Sequence, residues 1–206
     1  MRVVMYSPWP NKSFVPDLTR YAAAAGARTD HKARDVAKTY EVRTRAQALD
    51  DLANGDRLYI VGHGVQWEEL IKADSDTPWQ PGYANMGYRQ HGKHAVPALD
   101  PKGLVALLDT ARLPVGLSDI RLWTCKGGDT DFTRFALLFT GWIKKRNKSA
   151  QVSAYKGYMV LRRTEGRKRG QMDQETMESE PAKNLRVLIN EHSNYIQLES
   201  LNAFDA

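Results

Sequence analysis

Apolar and polar positions divide the chain into short strand-like runs and longer helix-like runs. Compact apolar runs bounded by turn residues predict buried β-strands. Four are clear, at Arg2–Tyr6, Arg57–Val61, Ile120–Thr124 and Gln151–Tyr155, and two weaker ones are predicted at Tyr40–Arg43 and Tyr158–Leu161. Between these runs the apolar residues recur at helical spacing, so strands and helices alternate along the chain.

Four helices are predicted from this spacing and from their end signals. The stretch Asp17–Ala25 is rich in alanine and is closed by Gly26. Thr44, with Gln47 three residues later, forms a capping box that predicts a helix ending at Asn54-Gly55. That helix is expected to bury Leu49 and Leu52.

The two later helices have stronger signals. Asp100 followed by Pro101 is a typical helix start, and that helix ends before Pro114. The next helix, from about Thr130 to Lys145, carries one continuous apolar face. Its members are Phe132, Phe135, Ala136, Phe139, Trp142 and Ile143.

Strands that alternate with helices predict an α/β fold, with three layers and a mainly parallel sheet flanked by helices. No internal repeat or linker is visible, so residues 1–206 are expected to form a single domain. The segment from Asp74 to Pro97 has no period and is rich in Pro, Gly and aromatic residues, which predicts a long loop.

Composition excludes several classes of protein. A hydrophobic fraction of 42% argues against disorder, and a single cysteine excludes an internal disulfide scaffold. The longest apolar run, Phe135–Phe139, is too short to span a bilayer, so no membrane partner is expected. The first residues lack the apolar core of a signal peptide. We therefore expect a cytoplasmic protein, or a secreted effector without a cleavable signal peptide.

The net charge of +6 could favour an anionic partner. Much of the excess falls late in the chain, in the cluster Arg162, Arg163, Arg167, Lys168 and Arg169. Two interpretations stay open, a solvated surface or a site for a polyanionic small molecule. Nucleic acid is disfavoured because no recognised binding motif accompanies the charge.

Two residues with catalytic chemistry follow predicted strands. His63 comes just after Arg57–Val61 and Cys125 just after Ile120–Thr124. Because the carboxyl ends of parallel strands meet at one edge of a sheet, we expect the two side chains to lie together. A histidine can take the thiol proton to create a thiolate nucleophile, then return the proton to a leaving amine. The amide of Gly64 could stabilise the oxyanion.

These two blocks, Arg57–Gly64 and Ile120–Gly128, resemble the signatures of the caspase-like (clan CD) cysteine peptidases. Within that clan the chain is most similar to the cysteine peptidase domains of the MARTX and clostridial glucosylating toxins. The resemblance covers roughly Thr44 to Tyr158 and implies a caspase-like fold and a protein or peptide substrate. It implies that Cys125 is the nucleophile and His63 the general base and acid, with Gly64 as oxyanion donor.

Further roles follow from the resemblance alone. The segment Val152–Gly157 matches the one that borders the S1 pocket, which implies substrate-binding roles for Ser153 and Tyr155. The toxin peptidases are activated by inositol hexakisphosphate on a basic surface beyond the cysteine strand. The late basic cluster, from Arg162 to Arg169, corresponds to that surface. The expected function is thus a cysteine endopeptidase, a bacterial effector or toxin-type protease, that needs no cofactor for its chemistry.

One competing function is a non-catalytic phosphate- or nucleotide-binding α/β module, whose glycine turns would hold the ligand at the sheet edge. No Gly-x-Gly-x-x-Gly and no Walker A sequence is present, which counts against it. An inactive peptidase homologue is a further alternative. His91 and His94 have metal-ligand spacing, but no third ligand accompanies them, so no metal is expected.

Overall fold

The structure is a computed structural model that describes ten segments of the chain. They are residues 1–9, 14–28, 38–64, 71–72, 89–91, 94–96, 98–124, 133–162, 165–171 and 179–189. The helices are α1 (Phe14–Gly26), α2 (Pro101–Thr110) and α3 (Thr133–Arg146), with a short 3-10 helix at Ala182–Leu185. The strands are β1 (Arg2–Ser7), β2 (Thr39–Thr44), β3 (Arg57–Val61), β4 (His63–Gly64), β5 (Ile71–Lys72), β6 (Arg89–His91), β7 (His94–Val96), β8 (Ala98–Leu99), β9 (Asp119–Trp123), β10 (Gln151–Tyr155), β11 (Tyr158–Arg162), β12 (Arg167–Gln171), β13 (Glu180–Pro181) and β14 (Arg186–Leu188).

The main sheet has six strands in the order β14-β10-β9-β3-β1-β2. Every neighbouring pair is parallel except β10 and β14, which are antiparallel. The predicted α/β fold with a mainly parallel sheet is confirmed at this level. The five parallel strands have their carboxyl ends at the same edge, and His63 follows one of these strands.

Each face of the main sheet buries its own hydrophobic cluster, because side chains alternate along a strand. On one face Val4, Leu58 and Leu122 pack with α2 and α3. On the other face Val3, Tyr59 and Trp123 pack with Leu18, Tyr21 and Ala25 of α1. Helices therefore cover both faces, as expected for a parallel sheet with helical crossovers.

A separate antiparallel sheet, β11-β12-β13, lies beside α1. The turn between β11 and β12 contains Gly166, whose φ of +59° lies in the left-handed region. A Cβ on Gly166 would collide with the backbone of Ala25 in the last turn of α1. The side chain of Arg28 donates to the Gly166 carbonyl at 3.4 Å. The absence of a side chain thus lets the hairpin turn dock closely against the end of α1.

The predicted helix from Thr44 to Gly55 is wrong, since this segment consists of turns. One half of the capping box does form, because the Thr44 amide donates to Oε1 of Gln47 at 2.8 Å. However, the amide of Leu49 donates to the Ala111 carbonyl at 2.7 Å instead of to a helical partner. Leu49 and Leu52 are buried as predicted. Tertiary hydrogen bonds here outweigh the local helix signal.

Two further predictions need correction. Part of the predicted loop from Asp74 to Pro97 is a short antiparallel hairpin, in which β6 pairs with β7. Trp142, which was predicted on the buried face of α3, is 38% exposed, and the ammonium groups of Lys102 and Lys145 lie 5.5 Å and 4.3 Å from its ring centroid. Among the described helices, none combines the length and the hydropathy that a membrane span requires.

Candidate functional site

The first candidate site is the carboxyl edge of the main sheet, where strands β3 and β9 end side by side. They pair in parallel with Val61 opposite Trp123, the last residues of the two strands. The Gly62 amide donates to the Trp123 carbonyl at 3.4 Å, which extends the pairing one residue further. His63 and Cys125 each stand two residues after this last pair in the sequence. The juxtaposition of their side chains stays a prediction.

The reactive groups themselves are described only in part. The backbone of His63 and Gly64 forms β4 and pairs with Lys72 and Ile71. Cys125 lies outside the described residues. Thr124, just before it, is fully buried, and its hydroxyl has no hydrogen-bond partner among the residues that the structure describes.

The proposed substrate-binding residues lie in β10, on the face of the sheet that α1 covers. Ser153 pairs in register with Arg121 of β9, and it is 6% exposed. Tyr155 is fully buried, with its ring centroid 4.8 Å from that of Trp123.

The second candidate site is a cavity of about 420 Å³ on this same face, lined by Arg57 at the start of β3, by Tyr59 and Arg121 in mid-strand, and by Tyr155 at the end of β10. This volume is in the range of sites that bind small molecules. Its described lining holds eight cationic side chains and no carboxylate. The lining residues are Val3, Tyr21, Arg28, Lys38, Tyr40, Arg57, Tyr59, Arg121, Tyr155, Gly166, Arg167, Lys168, Arg169, Pro181, Ala182 and Lys183.

The inner wall of this basic cavity is built on two arginines held by one carboxylate. Arg57 begins β3 and donates from Nε to Asp119 at 2.6 Å. Arg121 of β9 donates to the same carboxylate from Nε at 2.8 Å and from Nη2 at 3.0 Å. Both guanidinium groups are therefore fixed in orientation before any ligand arrives. Such planar, multidentate donors suit phosphate oxygens.

Lys168 of β12 adds a third cation on the inner wall. The residue is half-buried, and its Nζ lies 3.5 Å from the ring centroid of Tyr59. The same Nζ lies 5.7 Å from the ring of Trp123 and 5.9 Å from that of Tyr21. The ammonium group is thus enclosed by aromatic faces, an arrangement that attracts a cation.

These inner groups have strongly perturbed pKa values. Burial lowers the pKa of Lys168 to about 8, although Tyr59 acts in the opposite direction. Burial acts to raise the pKa of Tyr59, but the charges of Lys168, Arg121 and Arg57 outweigh it and lower the pKa below its usual range. Burial also acts to raise the pKa of Asp119, yet its bonds to the arginines lower it, so the carboxylate stays ionised.

The structure divides the predicted basic cluster. Arg167, Lys168 and Arg169 line the cavity. Arg162 ends β11 and only its backbone is described, while Arg163 lies outside the described residues. Arg57 and Arg121 were not predicted as site residues from the sequence. Their signal was a charged residue inside an otherwise apolar strand, which is costly unless the charge has a partner.

The two candidate sites share strands β3 and β9. Arg57 at one end of β3 and Val61 at the other are four residues apart, or about 13 Å along a strand. Tyr59 lies between them, and its ring is 5.9 Å from that of Trp123, which ends β9. Two packed aromatic side chains thus lie between the cavity and the carboxyl edge.

Comparison with known proteins assigns no family to the chain, since no protein-family model and no curated protein matches it. Within the described segments, no three His, Cys, Asp or Glu side chains are grouped so that they could hold a metal ion.

Proposed function

We propose that this chain is a cysteine endopeptidase with a caspase-like, three-layer fold, and that its basic cavity binds a regulatory inositol polyphosphate. The observation that carries the catalytic part is the register of β3 and β9. The two strands end at the same level, and in the sequence His63 and Cys125 each stand two residues after these ends. A base and a thiol on adjacent strand ends can come within reach of each other.

The reaction proposed is acyl transfer through a covalent intermediate. His63 accepts the Cys125 proton, and the thiolate attacks the peptide carbonyl carbon to form an S–C bond. The Gly64 amide donates a hydrogen bond to the oxyanion. The C–N bond then breaks, and the amine leaves with the proton from His63. Water, activated by His63, hydrolyses the thioester and regenerates the free thiol.

The regulatory part is supported by the composition of the basic cavity. Eight cations line it, and two of them, Arg57 and Arg121, are pre-oriented by Asp119. A ligand with several phosphates would neutralise such a lining by charge-assisted hydrogen bonds. The resemblance to toxin peptidases that respond to inositol hexakisphosphate names the chemical class of this ligand.

The rate of Cys125 alkylation by iodoacetamide tests the catalytic part. We expect alkylation in the wild-type protein to remain fast well below about pH 8, because an imidazole partner keeps the thiol ionised. His63→Ala should restore the pH dependence of an ordinary thiol. Intact mass measured from about pH 5 to 9 reports the rate, since Cys125 is the only thiol.

The matched control is His192→Ala, which removes an imidazole elsewhere in the chain and should leave the alkylation profile unchanged. Each sample is also measured with inositol hexakisphosphate, which we expect to increase the wild-type rate. Cleavage of a peptide library by the wild type, and none by Cys125→Ser, then tests endopeptidase activity. Slow alkylation with ordinary thiol pH dependence in every sample would contradict the peptidase proposal.

A second function, a non-catalytic binding module for phosphates or nucleotides, is favoured by the basic cavity alone. It requires the cavity but neither His63 nor Cys125. Tight binding of inositol hexakisphosphate to a protein whose thiol is unreactive with and without the ligand would select this function. Binding should in either case weaken as the salt concentration rises, because the ligand pairs with several cations.

A further inference from the structure

The inner wall of the basic cavity buries more positive than negative charge. Arg57, Arg121 and Lys168 face one carboxylate, that of Asp119, among the described residues. The side chains of Arg57 and Arg121 are only 16% and 9% exposed. If every group held its ordinary charge, two positive charges would be unbalanced in this enclosed region. Such an excess is costly, and the loss of one proton relieves part of it.

Tyr59 and Lys168 are the groups that can release this proton. The Arg121 guanidinium, which stays protonated, donates from Nη1 to the Tyr59 hydroxyl oxygen at 3.3 Å. The Lys168 ammonium lies 3.5 Å from the centroid of the Tyr59 ring. Both contacts favour a negative charge on Tyr59, while burial among cations favours a neutral Lys168. A proton lost from either one reduces the excess charge equally.

The other titratable groups described around Tyr59 and Lys168 do not release this proton. Burial raises the pKa of Tyr155 and that of Tyr21, so these neighbouring phenols stay protonated. Asp119 stays ionised and the arginines stay charged. The remaining charged or titratable groups that face the cavity are Arg28, Lys38, Tyr40, Arg167, Arg169 and Lys183.

We propose that the inner end of the basic cavity is a proton-linked anion site. Tyr59 and Lys168 together carry one proton fewer when the cavity is empty, and binding of a polyanion is accompanied by uptake of that proton from solvent. The negative charges of the bound anion offset the excess positive charge of the inner wall. Tyr59 and Lys168 therefore both return towards their ordinary protonation states. This inference rests on the anion-binding part of the proposed function and adds that the affinity is set by pH.

The direction of the pH effect follows from linkage. The occupied site binds more protons than the empty one at mildly alkaline pH, so binding strengthens as pH falls. A full proton of linkage would change the dissociation constant about tenfold per pH unit between about pH 7 and 9. The site would thus bind its ligand tightly at neutral pH and release it in alkaline solution.

Calorimetry with inositol hexakissulfate tests the proposal without proton uptake or release by the ligand itself. Sulfate groups do not titrate in this pH range, whereas phosphate groups do, so any proton uptake belongs to the protein. The binding enthalpy is measured at about pH 8 in buffers of different ionisation enthalpy. We expect the enthalpy to vary with the buffer in the direction of proton uptake for the wild type. This variation should be largely lost in Tyr59→Phe and in Lys168→Met.

Tyr21→Phe is the matched control, because it removes a buried phenol that lines the same cavity and keeps its proton. It should retain the wild-type uptake. An ultraviolet difference titration of the empty wild type against Tyr59→Phe measures tyrosinate directly, and circular dichroism verifies that each variant is folded.

The outcomes separate the two proposals. Binding whose enthalpy is independent of the buffer would overturn the proton linkage and leave the anion site in place. Failure of both the hexakissulfate and the hexakisphosphate to bind the wild type would overturn both. The alkylation of Cys125 in the absence of ligand is independent of either result.

Discussion

At two residues, Lys168 and Tyr59, the requirements of folding stability and those of the proposed anion binding oppose each other. Lys168 places an ammonium group in an enclosed, positively charged region, where its pKa falls to about 8. A residue that was selected for stability alone would not carry a charge there. The position of Lys168 is explained if the protein with an empty cavity is less stable than the protein with a bound anion, whose negative charge balances the ammonium group.

Replacing Lys168 by Met should therefore stabilise the empty protein while weakening its affinity for hexakisphosphate. Methionine matches the length of the side chain and removes one of the two unbalanced charges, so we expect a gain of about 1–3 kcal/mol in the free energy of unfolding near neutral pH. Urea denaturation measures the gain, and calorimetry measures the affinity.

The pH dependence of this effect has a defined sign. The pKa of Lys168 is about 8 in the folded protein and about 10.4 when unfolded, so the unfolded chain binds more protons between these values. The penalty is present below about pH 8 and declines as pH rises to about 10.4, and the advantage of Lys168→Met should decline with it. Lys183→Met, at an exposed position of the same cavity, is the control and should change stability by less than about 0.5 kcal/mol. An equal gain in both variants would contradict the assignment.

The hairpin of β11 and β12 is the element that closes the basic cavity against the sheet. It carries Arg167, Lys168 and Arg169, and its turn rests on α1 at Gly166. The position of these cations thus depends on a close backbone contact that glycine permits. The hairpin and α1 should accordingly behave as one unit when the cavity is perturbed.

The substitution Gly166→Ala tests this dependence. The new Cβ would strain a left-handed residue and collide with the backbone of Ala25, so we expect a loss of about 1–3 kcal/mol in stability. Binding of hexakisphosphate should weaken in parallel because the hairpin cations are displaced. Gly116→Ala is the control, since no atom lies near its Cβ position and its φ is ordinary. Unchanged binding in Gly166→Ala would show that the turn does not position the cations.

At the level of elements, hydrophobic pattern predicted most of the main sheet, and tertiary contacts account for the failures. β1, β3, β9 and β10 were predicted because buried parallel strands are short, nearly continuous apolar runs. The segment after Thr44 carried a true helix signal, yet the Leu49 amide bonds to Ala111, a partner no local pattern reveals.

The two candidate sites also differ in how far the sequence could predict them. His63 and Cys125 could be proposed from the sequence because strand ends are visible in it. The inner wall of the cavity depends on strand order, since Arg57 and Arg121 meet only when β3 and β9 are neighbours. A hairpin about fifty residues further along the chain then supplies Lys168.

Over the whole molecule, the two candidate sites share strands β3 and β9, with Arg57 in the cavity and Val61 four residues further along β3 at the carboxyl edge. If an anion in the basic cavity changes the carboxyl edge, then a ligand at that edge must change the cavity by an equal factor, because coupling between binding sites is reciprocal. This holds whatever path carries the effect. It can be checked without knowledge of the natural substrate.

A peptide aldehyde that captures Cys125 reversibly provides the measurement. We expect hexakisphosphate to increase aldehyde affinity about 5- to 150-fold, the usual range for coupled sites. The aldehyde should increase hexakisphosphate affinity by the same factor. Arg121→Met should reduce both effects together, because it removes an inner cation and the hydrogen bond to Tyr59. Affinities that do not change in either direction would show that the sites are independent.

The unbalanced charge of the cavity also bears on how long the protein survives. A polyanion present at about 100 times its dissociation constant would add about 2.7 kcal/mol to the folded state. Unfolded chains are removed by proteases, so a difference of this size changes the steady-state amount of a protein several-fold. The chain would accumulate where polyphosphates are abundant and be degraded where they are scarce. The amount of the protein would then follow the polyphosphate concentration through its rate of degradation, independently of any effect on catalysis.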